Sequence, residues 1–219
     1  MKLRAALFDL DGVLVDTEPL EWLAYRQAVQ PYGVTFPLEE FFPFIGRTSS
    51  TVAQYLVEKH RLPISVAELR DQKISNVSRL IRERPIPVMP YAIEFLEFLS
   101  KKRVLLGVAT NSRESEGTEK LKRAGLLRYF RKVSFKSDVL QSKPAPDIYE
   151  DLIKQLDVNA GECIAFEDSA SGVQAAKSAG IACFAIQNKF NQHHDLAIAD
   201  RVFRNLGEAM DWVGKEFKL

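Results

Sequence analysis

Asp9 and Asp11, two positions apart and followed at once by Gly12, close the apolar run Leu3–Phe8 near the start of the chain. That run leaves no room for a helix and reads as a strand buried on both faces. Carboxylates at the end of a buried strand are costly unless something neutralises them. In an open α/β sheet, the carboxyl ends of the strands are also where ligands bind. By itself the stretch reads equally well as a solvated turn, since Asp and Gly are turn formers. Its counterparts decide between the two readings. A second run, Val104–Ala109, ends in Thr110-Asn111-Ser112, and a third, Cys163–Phe166, ends in Glu167-Asp168-Ser169. Between them a lone lysine stands in Ser142-Lys143-Pro144-Ala145-Pro146-Asp147, just before a Pro-flanked helix start. Each has a structural explanation of its own, such as an N-cap for the Ser/Thr/Asn cluster. Parallel strands, however, bring such loops to one edge of a sheet.

Gathered at one edge, Asp9, Asp11, Glu167 and Asp168 repel one another unless a counter-ion intervenes. Mg2+, a hard cation that takes a few carboxylates together with water and substrate phosphate, removes the problem. Lys143 adds a point positive charge, and Thr110 and Asn111 add neutral donors. This is a set of residues for a phosphoryl group, whose transfer depends on positioning and on neutralising spread negative charge. It also leaves an aspartate available for covalent attack on phosphorus.

The elements that must position these loops alternate along the chain. Helical spacing over Ile93–Leu99, Glu114–Ala124, Ile148–Leu156, Val173–Ala179 and Leu206–Phe217 is interleaved with short strands at Val104–Ala109, Val133–Phe135, Cys163–Phe166, Ala182–Ile186 and Arg201–Phe203. That pattern predicts an α/β fold with a doubly wound parallel, Rossmann-like sheet. The stretch after Asp16 is different. Pro19 fits a helix start, Thr48–His60 is helical, and Ser65-Val66-Ala67-Glu68 is a capping box that opens a third helix. Proline-rich Arg84–Pro90 stops that helix. The expected organisation is therefore a core of residues 1–16 and 88–219 with a helical domain, 17–87, inserted through two short connections that can act as a hinge. Phe41, Phe42 and Phe44 are expected in that domain's core or hinge.

The totals exclude several functions. The chain has 219 residues, 46% hydrophobic and 27% charged, with a formal net charge of +1. Nothing there argues for a nucleic-acid or membrane-surface footprint. No apolar stretch approaches membrane-spanning length, and the first residues read as a strand rather than a signal peptide. Cys163 and Cys183 sit in apolar runs without metal-type spacing, as core residues of a reducing compartment. A cytoplasmic protein is expected, with a monomer as the favoured state. His60, His193 and His194 lack metal-ligand companions and are expected in solvated loops. No phosphate-binding Gly-x-x-x-x-Gly-Lys-Ser/Thr loop or dinucleotide Gly-x-Gly-x-x-Gly turn is present.

Asp9-Leu10-Asp11-Gly12-Val13, Thr110-Asn111-Ser112, Lys143-Pro144-Ala145-Pro146-Asp147 and Glu167-Asp168-Ser169 resemble, in order, the four motifs of the haloacid dehalogenase superfamily. Asp16-Thr17-Glu18-Pro19 and Ala170-Ser171-Gly172-Val173-Gln174-Ala175-Ala176 look like the branch that holds β-phosphoglucomutase, phosphoglycolate phosphatase and sugar-phosphate phosphatases. The resemblance spans nearly the whole chain, helical cap included. It implies a Mg2+-dependent phosphomonoesterase acting on a small phosphorylated metabolite through an aspartyl-phosphate. Asp9 would be the nucleophile and Asp11 the general acid and base. Asp9, Asp11 (through its backbone carbonyl), Asp168 and Glu167 would form the metal site, while Thr110, Asn111 and Lys143 would bind phosphate. Arg47, in Gly46-Arg47-Thr48, resembles the cap loop that faces substrate. A β-phosphoglucomutase-type mutase is the alternative. It is disfavoured because Glu21 and Ser49 stand where the mutases carry a His and an Arg. Ser142 and Tyr91 replace two glycines usual in the family. A phospho-accepting signalling receiver, which combines similar residues, has its acceptor on a middle strand and no cap; an inactive, purely binding relative would not need the full set.

Overall fold

A computed structural model describes residues 2–45, 48–189, 191 and 195–217. In chain order the elements are β1 (Ala5–Phe8), α1 (Glu18–Val29), α2 (Leu38–Phe41), α3 (Ser49–His60), α4 (Val66–Glu83), α5 (Ala92–Lys101), β2 (Leu105–Thr110), α6 (Glu114–Arg123), β3 (Lys132–Phe135), α7 (Asp147–Leu156), β4 (Cys163–Glu167), α8 (Ala170–Ser178), β5 (Ala182–Ile186), β6 (Arg201–Phe203) and α9 (Leu206–Glu216). The six strands form one sheet in the order β3-β2-β1-β4-β5-β6, and every neighbouring pair is parallel. This is the expected doubly wound α/β fold. The chain moves outward from β1 through β2 to β3, then returns to place β4 on the other side of β1. The switch point, where ligands bind in such sheets, therefore lies between β1 and β4.

Strand periodicity assigns each residue to a face. Ala5 and Leu7 of β1, Cys163 and Ala165 of β4, and Cys183 and Ala185 of β5 share a core with Ile148, Tyr149 and Leu152 of α7 and Val173, Ala175 and Ala176 of α8. Both cysteines are free and buried there, as expected. The alternate positions carry Phe8, Phe166 and Phe184 among aliphatic residues. Phe8 lies against Phe166 with centroids 5.0 Å apart, both meet Phe95 of α5, and Phe184 continues the row to Trp212 of α9. One face carries mostly alanine and cysteine, and the other carries a row of rings. This difference sets how closely the covering helices approach.

Residues up to Asp16 and from Ile86 onward form one compact unit, and Thr17–Pro85 forms a second. The two crossings between them are joined within the first unit. Asp16 N donates to Pro87 O at 2.9 Å, Met89 N donates to Leu14 O at 2.9 Å, and Val15 and Val88 form an antiparallel bridge.

In the helical unit, α1 packs on α4 and α4 on α3. The Ser65 capping box forms in full, with Ser65 Oγ accepting from Glu68 N and Glu68 Oε2 accepting from Ser65 N. Tyr25, Phe36 and Phe41 make the unit's aromatic core, and Phe44 packs on Tyr55 with centroids 4.6 Å apart. Phe42 is exposed rather than part of that core. The short α2 carries no periodic signal of its own in the sequence. Among the described residues, no helix is long and apolar enough to cross a membrane.

Candidate active site

The residues after β1, β2 and β4 meet Lys143 at the switch point. Because side chains alternate along a strand, Glu167 shares the small-residue face with Cys163 and Ala165, and it points towards α7. It is fully buried. Lys143 Nζ donates to Glu167 Oε1 at 2.6 Å, to Asp9 Oδ1 at 2.6 Å and to Ala109 O at 2.8 Å. Tyr149 Oη donates to the same Glu167 oxygen at 2.6 Å. All three ammonium hydrogens are therefore used, and a phosphate oxygen would have to take the place of one acceptor. Burial pushes the Asp9 carboxyl up to about 7. Lys143 opposes that rise and the Glu167 charge adds to it. For Lys143 burial works against the charge, but the two carboxylates outweigh it and hold the ammonium above its ordinary value.

Asp9, Glu167 and Asp168 each offer an oxygen, all within 4.8 Å of one another. Glu167 Oε2 has no hydrogen-bond partner among the described residues. An oxygen-only donor set with a buried, unsatisfied carboxylate oxygen fits Mg2+. The cluster exists because two glycines make room for it. A Cβ on Gly172 of α8 would lie 1.9 Å from Glu167 Oε2. A Cβ on Gly12, whose φ is +80°, would lie 2.0 Å from Asp168 Oδ2. Asp168 is further fixed by Asn188 Nδ2, which donates to its Oδ2 at 3.0 Å and to Gly12 O at 3.1 Å, and by Asn191 Nδ2, which donates to its backbone oxygen at 2.9 Å. Asn188 and Asn191 also exchange backbone N–H bonds to each other's Oδ1.

The other expected residues divide. Thr110 Oγ1 accepts from Ser112 N at 3.0 Å, and Asn111 Oδ1 accepts from Lys143 N at 3.2 Å. Their acceptor atoms thus brace the loops, and what each can give a ligand is its donor. The side chain of Asp11 does not join the metal-type cluster. Its carboxylate accepts from Ser112 Oγ at 3.0 Å and from Lys120 Nζ at 2.9 Å and 3.1 Å. Lys143 is thus not the sole counter-charge to the acids; Lys120 of α6 is a second.

Lys120, Tyr149, Asn188 and Asn191 are not legible as site residues in the sequence. Lys120 is one of three basic residues closing a helix. Only the Asn pair, directly after β5, carried a signal, as polar residues at a strand's carboxyl end. Arg47 lies outside the described residues, as do His193 and His194. His60 closes α3 and is partly buried rather than lying in a solvated loop. Glu21 pairs with buried Lys73, whose Nζ also reaches Ser49 Oγ at 3.4 Å.

The chain is similar to known proteins over most of its length. The family model for haloacid dehalogenase-like hydrolases matches residues 6–186. A phosphorylated carbohydrates phosphatase of Thermotoga maritima is 36% identical over 183 residues, covering 82% of each chain. A fructose-1-phosphate phosphatase of Escherichia coli is 27% identical, covering 80% of this chain and 92% of its own. The crystal structure of CbbY from Rhodobacter sphaeroides in complex with phosphate superposes with a TM-score of 0.77 at 28% identity, covering 94% of this chain and 96% of the other.

Two expectations follow from the packing and the charge. Gly172→Ala should destabilise the protein by about 1–3 kcal/mol through overpacking against Glu167, while Gly161→Ala, whose added methyl meets open space, should not. Denaturant unfolding of both variants reads the difference. The second concerns Asp9. In metal-free protein the folded state keeps a proton on this carboxyl between its ordinary value of 3.8 and about 7, where the unfolded chain has shed it. The group's contribution to stability therefore falls as pH rises through that window. Metal-free Asp9→Asn, neutral throughout, should melt above the parent at pH 8, and the two melting temperatures should converge as pH falls towards 4. A gap independent of pH would contradict the raised value.

Proposed function

The chain belongs to the haloacid dehalogenase-like hydrolases, and we propose that it is a Mg2+-dependent phosphomonoesterase that carries the phosphoryl group on Asp9. The convergence of Asp9, Glu167 and Asp168 beside a fully hydrogen-bonded lysine carries this reading. An Asp9 oxygen attacks phosphorus, and Asp11 gives a proton to the departing alcohol oxygen. Asp11, now a carboxylate, takes a proton from the water that attacks the aspartyl-phosphate, and inorganic phosphate leaves. Thr110, Asn111 and Lys143 bind the phosphate oxygens. Asp9, Asp168 and the Asp11 carbonyl, with Glu167 beside them, would hold Mg2+, which would supply the charge that lets an anionic ester approach a carboxylate. Asn188 and Asn191 hold Asp168, and Tyr149 holds Glu167, at the place where the cation would bind.

The substrate we propose is a small phosphorylated metabolite, a sugar phosphate or phosphoglycolate, selected by the helical unit acting as the cap. The phosphatases of phosphorylated carbohydrates and of fructose 1-phosphate among its relatives support that class. A reducing cytoplasm is the setting in which two buried free thiols persist.

A mutase is the second reading, and the charge of Glu21 does not argue against it. The pairing of Glu21 with Lys73 neutralises a carboxylate that would otherwise repel a second phosphate. The argument that stands is the absence of a His and an Arg at positions 21 and 49. Mutases need such residues to grip a bisphosphate while water is kept from the aspartyl-phosphate.

Asp9→Asn should abolish turnover of phosphate esters while the protein stays folded, and chelation should silence the parent until Mg2+ is restored. Near-normal turnover by either would exclude the proposal. Given β-glucose 1-phosphate with a trace of the 1,6-bisphosphate, the protein should release phosphate. Rapid formation of glucose 6-phosphate without phosphate release would establish the mutase instead.

A further inference from the structure

One buried ionisable side chain has no part in the reaction as described. Lys120, in the last turn of α6, has a side chain only 3% exposed. Its ammonium donates to Asp11 Oδ1 at 2.9 Å, to Ser112 Oγ at 3.1 Å and to Glu116 Oε1 at 2.6 Å. Ser112 Oγ in turn donates to Asp11 Oδ2 at 3.0 Å. We propose that Lys120, braced by Glu116 and Ser112, is a positioning residue that fixes the orientation of the Asp11 carboxylate for proton transfer. This rests on the reading of Asp11 as the acid and base.

The geometry favours a directed role over a surface ion pair. Asp11 stands in the loop after β1, and its side chain is 31% exposed, so the carboxylate is partly open to solvent. Lys120 reaches it from a regular helix, and Glu116 one turn earlier anchors the ammonium in the favourable Glu-before-Lys order. Both carboxylate oxygens are thereby tied to a rigid element. Proton transfer to a leaving oxygen is steep in distance and angle, and a misplacement of about 1 Å can cost roughly 10²-fold in rate. The buried position matters for the same reason. An ammonium with its three hydrogens committed to three acceptors cannot change partner without leaving one unsatisfied.

The test compares Mg2+-loaded enzymes on two esters that differ in their need for an acid. One is an alkyl phosphate, whose leaving oxygen must be protonated, and the other is p-nitrophenyl phosphate, whose leaving group departs unaided. The readout is the ratio of their kcat/KM values, which reports the step in which the alcohol leaves. Asp11→Asn should depress the alkyl ester by about 10²-fold or more relative to p-nitrophenyl phosphate, the range of a lost general acid. Lys120→Met should move the ratio in the same direction by about tenfold, and Lys120→Arg should recover part of it. Adding Lys120→Met to Asp11→Asn should not move the ratio further. Because Lys120→Met leaves Asp11 and Glu116 without their shared cation, the Glu116→Gln/Lys120→Met double variant serves if the single one unfolds, with the same shift expected. An unchanged ratio in folded Lys120 variants, alongside a shifted one in Asp11→Asn, overturns the positioning role alone. An unchanged ratio in Asp11→Asn overturns the acid assignment and this inference with it.

Discussion

The site depends on one ammonium. Lys143 holds two carboxylates at 2.6 Å each in a place where one of them, Glu167, has no exposure at all. A buried carboxylate without a partner costs several kcal/mol or shifts to its neutral form. The loop that carries Lys143 must therefore be fixed to within a few tenths of an ångström of β1 and β4. Asn111 fixes it from the β2 loop by accepting from the Lys143 backbone N–H. The cluster carries a deficit of positive charge even so, since three carboxylates face one lysine. Burial, with the Glu167 charge adding to it, gives Asp9 a raised affinity for protons. The same deficit is what a divalent cation relieves.

The unequal faces of the sheet serve that arrangement. Alanines and cysteines on β1, β4 and β5 let α7 and α8 come close enough for Tyr149 to reach Glu167 and for Gly172 to lie against its carboxylate. A valine or leucine at Ala165 would push both helices away. The opposite face has no site to accommodate and is filled by Phe8, Phe95, Phe166 and Phe184, which contribute apolar area and T-shaped or stacked contacts. Core and site are thus not separable: the residues that stabilise the sheet also set the spacing on which the chemistry relies.

The fold was legible because its signals are local. Apolar runs bounded by Gly, Pro and acids, alternating with helical spacing, are written within ten or fifteen residues of each element. Asp9, Glu167 and Asp168 were legible for a related reason: carboxylates at the end of a buried strand are conspicuous by their cost, and Lys143 by standing alone before a Pro-flanked helix start. Lys120 was not, since it meets Asp11 across 109 positions and looks, along its helix, like any basic residue near a C-terminus. Tyr149 is a core residue with one hydroxyl that is also part of the site. The Glu21–Lys73 pair was hidden in the same way. Periodicity says which face of a helix is apolar, but not which charge it meets on another helix.

The paired crossings between the two units have a consequence for how such a chain could arise and be rebuilt. Asp16 and Pro87 are joined by a backbone hydrogen bond, so the excursion of some seventy residues begins and ends at nearly the same point. Topologically it is the tip of a hairpin grown to the size of a domain. Loop-closure entropy rises only with the logarithm of length, about 0.6 kcal/mol per doubling. The sheet would therefore scarcely register whether the tip is a four-residue turn or a helical bundle with its own hydrophobic centre. Insertions, replacements or deletions at that neck leave the register of β1 and the approach to α5 in place. Such a neck lets one phosphoryl-transfer core be paired with many different recognition modules without re-evolving the core.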